Sequence, residues 1–178
     1  MMDFEKLHNL TKATMEQGQQ ILRRYSHNQL DVEHILLAML EQEEGVPRRM
    51  LEQTGVEIAP LIGKVERELG SRPQVSGGGG DTGQIFVTPQ ANRLFDAAWQ
   101  RAQQFGDTFV AAEHLLLAML DITSPATSVL QNAGVSEQAL LEALREIRGS
   151  HGVHDEGAEE GYEALERFSR DLTELARE

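Results

Sequence analysis

Two Glu-His pairs are the first places to look for chemistry in this chain. Glu33-His34 opens the run Glu-His-Ile-Leu-Leu-Ala-Met-Leu, and Glu113-His114 opens Glu-His-Leu-Leu-Leu-Ala-Met-Leu. A carboxylate and an imidazole are the side chains of general acid–base catalysis. Neighbouring residues on a helix point about 100° apart, so neither pair is built to act in concert. A structural role explains each more simply. Glu in a first turn favours the positive helix end by about 0.3–1 kcal/mol, and the His packs half-buried beside it. A third candidate, His151-Gly-Val-His154 with Asp155 following, has the spacing of two metal ligands. Zinc sites take three or four protein ligands and no third is evident, so no metal site is expected. The glycines Gly77 to Gly80 suggest a phosphate loop, but no lysine follows Lys64, and the Walker pattern is absent. Hydrolase and dinucleotide-binding fingerprints are absent as well. On residues alone the chain reads as a helical binding module, with no catalytic residue and no cofactor, rather than as an enzyme.

The two runs agree at seven of eight positions and lie 80 residues apart. That is a duplication, and it sets the frame that must position the candidates. In order, residues 3–25 carry a helical stripe with Gly18 in its middle, where a second helix is expected to approach closely. Asp31 caps the next helix through the backbone N–H of Glu33 or His34, and the apolar run behind it makes that helix central. Pro47 opens a short helix through Gln53, Gly55 closes it, and a fourth helix runs over about 57–69. Residues 71–86 read as a flexible connector. The second copy starts at Val87-Thr-Pro, with Thr88 as N-cap. Ala91, Leu94, Phe95, Ala98, Ala102 and Phe105 then answer Thr11, Thr14, Met15, Gly18, Leu22 and Tyr25. Helices follow from Glu113, over Pro125 to Gln131, and from the cap Ser136. The expected fold is all-α, two pseudo-twofold-related four-helix repeats over 3–70 and 87–149. Residues 150–178 add a hinge and a linker helix over about 158–177.

Composition bounds the function. The chain of 178 residues carries a net charge of −13, which repels phosphate backbones, so nucleic acid is not an expected partner. It suits basic or extended polypeptides, or simply keeps the domain soluble. There are no cysteines, no apolar run of membrane-spanning length and no basic, apolar leader at the start. The expectation is a cytoplasmic protein without a membrane partner.

The duplicated Glu-His unit, Thr88-Pro89 at the head of the second copy and the glycine-rich join resemble the N-terminal repeat domain of the Clp ATPases. The tail, with Arg148-Gly149, Gly157-Ala158-Glu159 and Ala164 to Thr173, looks like the linker entering the first ATPase module of the ClpB branch. The stretch His27 to Leu40 is closer to the ClpC branch, and the balance favours ClpB. The resemblance implies a substrate- and adaptor-binding domain at the mouth of a hexameric disaggregase. It would present unfolded or aggregated polypeptides in cooperation with an Hsp70-type (DnaK) chaperone. This fragment would be monomeric, and ATP and magnesium would belong to the parent's ATPase modules.

The resemblance also implies site residues. Phe95, Asp107, Glu113 and His114 fall on positions lining a substrate groove between the repeats. Glu33 and Glu113 fall on acidic positions that bind phosphorylated arginine in ClpC-type domains. Thr88 matches the family's threonine in copy two, whereas His8 stands at the copy-one equivalent and breaks the symmetry of such a pair. Core packing for Phe95 and helix-end electrostatics for the two glutamates are the competing readings.

Overall fold

The computed structural model describes residues 9–75 and 85–149. Among them are eight helices and one pair of two-residue strands. Repeat one holds α1 (Asn9–Arg24), α2 (Val32–Glu41), α3 (Val46–Gln53) and α4 (Ile58–Gly70). Repeat two holds α5 (Pro89–Gln104), α6 (Ala112–Ala118), α7 (Pro125–Asn132) and α8 (Glu137–Arg148). The expected all-α fold is found. Helix α1 is described from Asn9, so the first turns of the expected 3–25 helix lie outside the described residues, as do His8, the His151/His154 hinge and the tail helix.

The caps explain the boundaries. Asp31 Oδ1 accepts from Val32 N–H at 2.8 Å and forms a capping box with His34. Thr88, Ser124 and Ser136 cap α5, α7 and α8 through the amides of Ala91, Thr127 and Ala139. Gly55 (φ 86°) and Gly134 (φ 85°) hold the same left-handed turn after α3 and α7, a backbone that favours glycine.

The two repeats pack reciprocally. Helix α1 lies on α2 as α5 lies on α6. Across the seam, α3 packs on α6 and α8, and α7 packs on α2 and α4. Each repeat therefore lends its short third helix to the other, which is the pairing a twofold axis generates. The Glu-His helices are buried over residues 32–40 and 111–119, which form the centre of one continuous core.

The connector departs from expectation at both ends. Val75 N–H donates to Ser26 O at 2.8 Å, and Phe86 N–H donates to Asn28 O at 2.9 Å. Strand β2 (Phe86–Val87) pairs in parallel with β1 (Gln29–Leu30). Phe86 belongs to this ladder, not to a free linker. Gly18 departs too. A methyl group added there would meet Leu30 Cδ1 at 3.5 Å, ordinary contact, so the helix approach does not demand glycine.

Candidate functional site

The sequence-selected residues fall into two buried clusters and one core position. Phe95 is 2% exposed and packs in the core, so it lines no open groove. Asp107, Glu113 and His114 are also buried, and the structure brings all three together around Arg148. Arg148 Nε and Nη2 donate to Glu113 Oε1 at 3.0 and 2.7 Å, and Nη1 donates to Asp107 Oδ2 at 2.8 Å. His114 Nδ1 accepts from Ala111 N–H at 2.8 Å, which leaves the proton of the neutral ring on Nε2. That nitrogen lies 2.7 Å from Asp107 Oδ2 and donates to it. Burial opposes the charge on Glu113, but Arg148 first and His114 second outweigh it, and the carboxyl stays below its ordinary range. Burial likewise opposes the charge of Arg148, and Glu113 and Asp107 more than restore it.

Repeat one repeats the plan with different residues. Glu33 is buried, and its Oε1 accepts the amide of Ala126 at the head of α7, across the seam, at 3.1 Å. Arg72, just past the end of α4, reaches Glu33 Oε2 at 3.0 Å and Asp31 Oδ2 at 3.3 Å. In each copy, then, an arginine from the close of the last helix covers the buried glutamate. Thr88 is half-buried at the seam. Its hydroxyl caps Ala91 N–H and donates to Asp31 Oδ1 at 2.8 Å, tying α5 to the entry of α2. Asp107 and His27 are 80 residues apart, and the rings of His27 and His34 meet where repeat two has Asp107 and His114.

The arginines escaped sequence reasoning, although one signal was available. Leu140, Ala143, Leu144, Ile147 and Arg148 share the buried face of α8, so Arg148 is a charge on an apolar stripe. His27 was equally within reach, by laying its position over Asp107.

Among the described residues, an open surface lies at the 26–30 segment. A pocket of about 330 Å³ there is lined by His27, Asp31, His34 and Arg72 on one side and by Pro73 to Val75 on the other. Val75 (49% exposed), Phe86 (53%) and Val87 (36%) stand out from the two stretches of backbone bound to this segment. They are three of the four large apolar residues that are exposed among the described residues; Phe105 is the fourth. No cluster of three or more metal-ligating side chains occurs among the described residues, and no helix there is long and apolar enough to cross a membrane.

Comparison with known proteins agrees with this architecture. The family model for the Clp repeat (R) N-terminal domain matches residues 6–133. The chaperone protein ClpB of Nitratidesulfovibrio vulgaris is 34% identical over 180 residues, covering 99% of this chain. This chain spans only 21% of that relative's length. Among solved structures, the Hsp104 N-terminal domain from Candida albicans superposes with a TM-score of 0.73 at 22% identity, covering 86% of this chain and 99% of that one. A ClpV N-domain in complex with a VipB peptide superposes at 0.62 with 20% identity, covering 79% and 86%. At these identities the structures establish the fold alone. Taken with the doubled helical architecture, the family match shows that this chain belongs to the Clp repeat N-terminal domain family.

Proposed function

We propose that this domain binds exposed apolar segments of unfolded or aggregated polypeptides and presents them to an ATP-driven, ClpB-type threading hexamer in the cytoplasm. The hexamer, its ATP and magnesium, and an Hsp70-type (DnaK) partner belong to the longer protein that such relatives represent. The observation that carries the reading is the exposure of Val75, Phe86 and Val87 on backbone bound to the 26–30 segment, beside an open pocket that Val75 lines. A structural neighbour described as a ClpV N-domain complexed with a VipB peptide supports polypeptide as the ligand class.

The energetics fit loose capture. A few side chains laid on this face bury apolar area at roughly 25 cal/mol per Å². Ordering a flexible chain opposes most of that gain, so the affinity is weak and sequence-tolerant. That suits a domain which hands its client on. The ClpC-type alternative, capture of phosphorylated arginine by Glu33 and Glu113, is disfavoured. Both carboxylates are buried, and a client guanidinium would first have to displace Arg72 or Arg148.

Titration with a permanently unfolded labelled protein tests the reading. Amide resonances of Val75, Phe86 and Val87 are expected to move, and Phe86→Ser is expected to weaken binding several-fold. Movement confined to other surfaces, with Phe86→Ser binding as before, would defeat the assignment.

A further inference from the structure

Where repeat two pairs an acid with a histidine, repeat one faces two histidines. His27 Nδ1 lies 2.9 Å from His34 Nε2. The other ring nitrogen of His34 accepts from Asp31 N–H at 3.0 Å. The single proton of neutral His34 is therefore on Nε2, and it is given to His27 Nδ1. His27 must then carry its own proton on Nε2, an atom that is buried and has no hydrogen-bond partner.

This arrangement tolerates one proton per ring and no more. A second proton on His27 goes to Nδ1, where it meets the N–H of His34. A second proton on His34 goes to Nδ1, where it meets the N–H of Asp31. Either event replaces a hydrogen bond by two opposed donors. Repeat two keeps only the second of these conflicts, between Ala111 N–H and His114 Nδ1. At Nε2 the carboxylate of Asp107 accepts in place of a ring nitrogen, and a carboxylate attracts added positive charge that a second ring repels. The charged groups around the histidine pair are Asp31, at the entry of α2, and Arg72, which is itself held by Asp31, Glu33 and Glu68. From the end of α1 the Tyr25 ring stacks on His27 at 5.7 Å. Burial, with the neighbouring ring and Arg72 adding to it, lowers His34 to about 4, and burial with Arg72 also lowers His27.

The pair sits at the root of the open face. Ser26 O and Asn28 O, on either side of His27, hold the amides of Val75 and Phe86. We propose that the His27–His34 pair is an acid-operated latch: on gaining a proton it releases the 26–30 segment and loosens the backbone that carries Val75 and Phe86. As a control on polypeptide capture the latch rests on the function proposed above; as a conformational device it stands without it.

Amide exchange on the full chain, at pH 7 and pH 5 and corrected for intrinsic rates, tests this. Two equivalent amides provide an internal control: His27 N–H bonds Leu22 O at 2.9 Å, and Asp107 N–H bonds Ala102 O at 2.8 Å. The amides of His27, Val75 and Phe86 are expected to exchange about tenfold faster at pH 5, the factor one pKa unit represents, while that of Asp107 does not change. His27→Asp restores the acid–histidine pair and is expected to abolish the effect. Equal acceleration in both repeats, acceleration that persists in His27→Asp, or ring ¹⁵N shifts placing the proton of His34 on Nδ1 at pH 7 would each overturn the latch. Should His27→Asp fail to fold, the ring shifts and the comparison of repeats decide the matter on the unmodified protein. Polypeptide affinity at both pH values separates the two ideas. An open latch with no binding at either pH sinks the capture function and leaves the latch. Binding with no change in exchange sinks the latch alone.

Discussion

Arg148 is the residue on which repeat two turns. Its guanidinium faces two buried carboxylates, Asp107 and Glu113, at 2.7–3.0 Å. Removing one member of a buried ion network strands the others, typically at about 3–5 kcal/mol, although replacing the whole network by apolar groups can be neutral. Arg148→Met is therefore expected to cost on the order of 3–5 kcal/mol in urea unfolding. A triple replacement that also removes both acids is expected to recover much of that. A loss under about 1 kcal/mol for the single change would mean that the network is held mainly by other contacts. Arg72→Ala should cost less, because its side chain is 22% exposed and water can replace it. These residues also mark what the sequence could not reveal. Glu33, Glu113 and His114 stood out by their types, but the arginines that cover the two glutamates lie 39 and 35 positions away, and Glu33 also binds Ala126 across the seam. Spacing along one helix carries no trace of such a partner, so a carboxylate buried under an arginine and one lining a groove read alike. Acid sensitivity belongs to the same scale. The unfolded His34 titrates near 6.5 and the folded one near 4, so the unfolded chain takes up the proton first. The stability this gives is complete above about pH 6.5 and is lost as pH falls toward 4, by about 2 kcal/mol at pH 5. The difference between this protein and a His34→Gln variant, measured at pH 7 and pH 5, isolates that share from the carboxylates.

At the scale of elements the sequence was legible wherever a period of 3.6 or a cap was present. The four helices of each copy, the caps at Thr88 and Ser136 and the glycines at 55 and 134 lie where the pattern placed them. What escaped was the β1–β2 pair, because two residues carry no alternation to detect. Gly18 is the instructive case. The duplication aligns it with Ala98, the space around it admits a methyl group at 3.5 Å from Leu30, and its neighbours need not move. Gly18→Ala is therefore expected to stabilise the domain by about 0.5–1 kcal/mol, the ordinary cost of glycine inside a helix. A thermal melt reads the result, and a lower midpoint would show that α1 approaches α2 more tightly than this spacing indicates.

At the scale of the whole molecule, the exchange of α3 and α7 across the seam makes the two repeats one folding unit. Three polar ties reinforce the packing. Glu33 caps α7 through Ala126, Thr11 Oγ1 donates to Val110 O at 3.1 Å, and Thr88 binds Asp31. Each joins residues from different copies, so neither copy can bury its glutamate helix fully without the other. Leu130 is the sharpest probe, since it is fully buried on α7, a helix of repeat two that lies on α2 and α4 of repeat one. Leu130→Ala leaves a cavity of the kind that costs about 2–5 kcal/mol. If the repeats were independent, that loss would appear only in the exchange protection of α5, α6 and α8. Reciprocal packing instead requires the slowest amides of α2 and α4 to lose protection by the same amount, within a single unfolding transition. Native-state exchange under low denaturant makes the distinction. Undiminished protection in α2 and α4 would show that the seam is a contact between two stable halves, and the face at Val75 and Phe86 would then belong to repeat one alone.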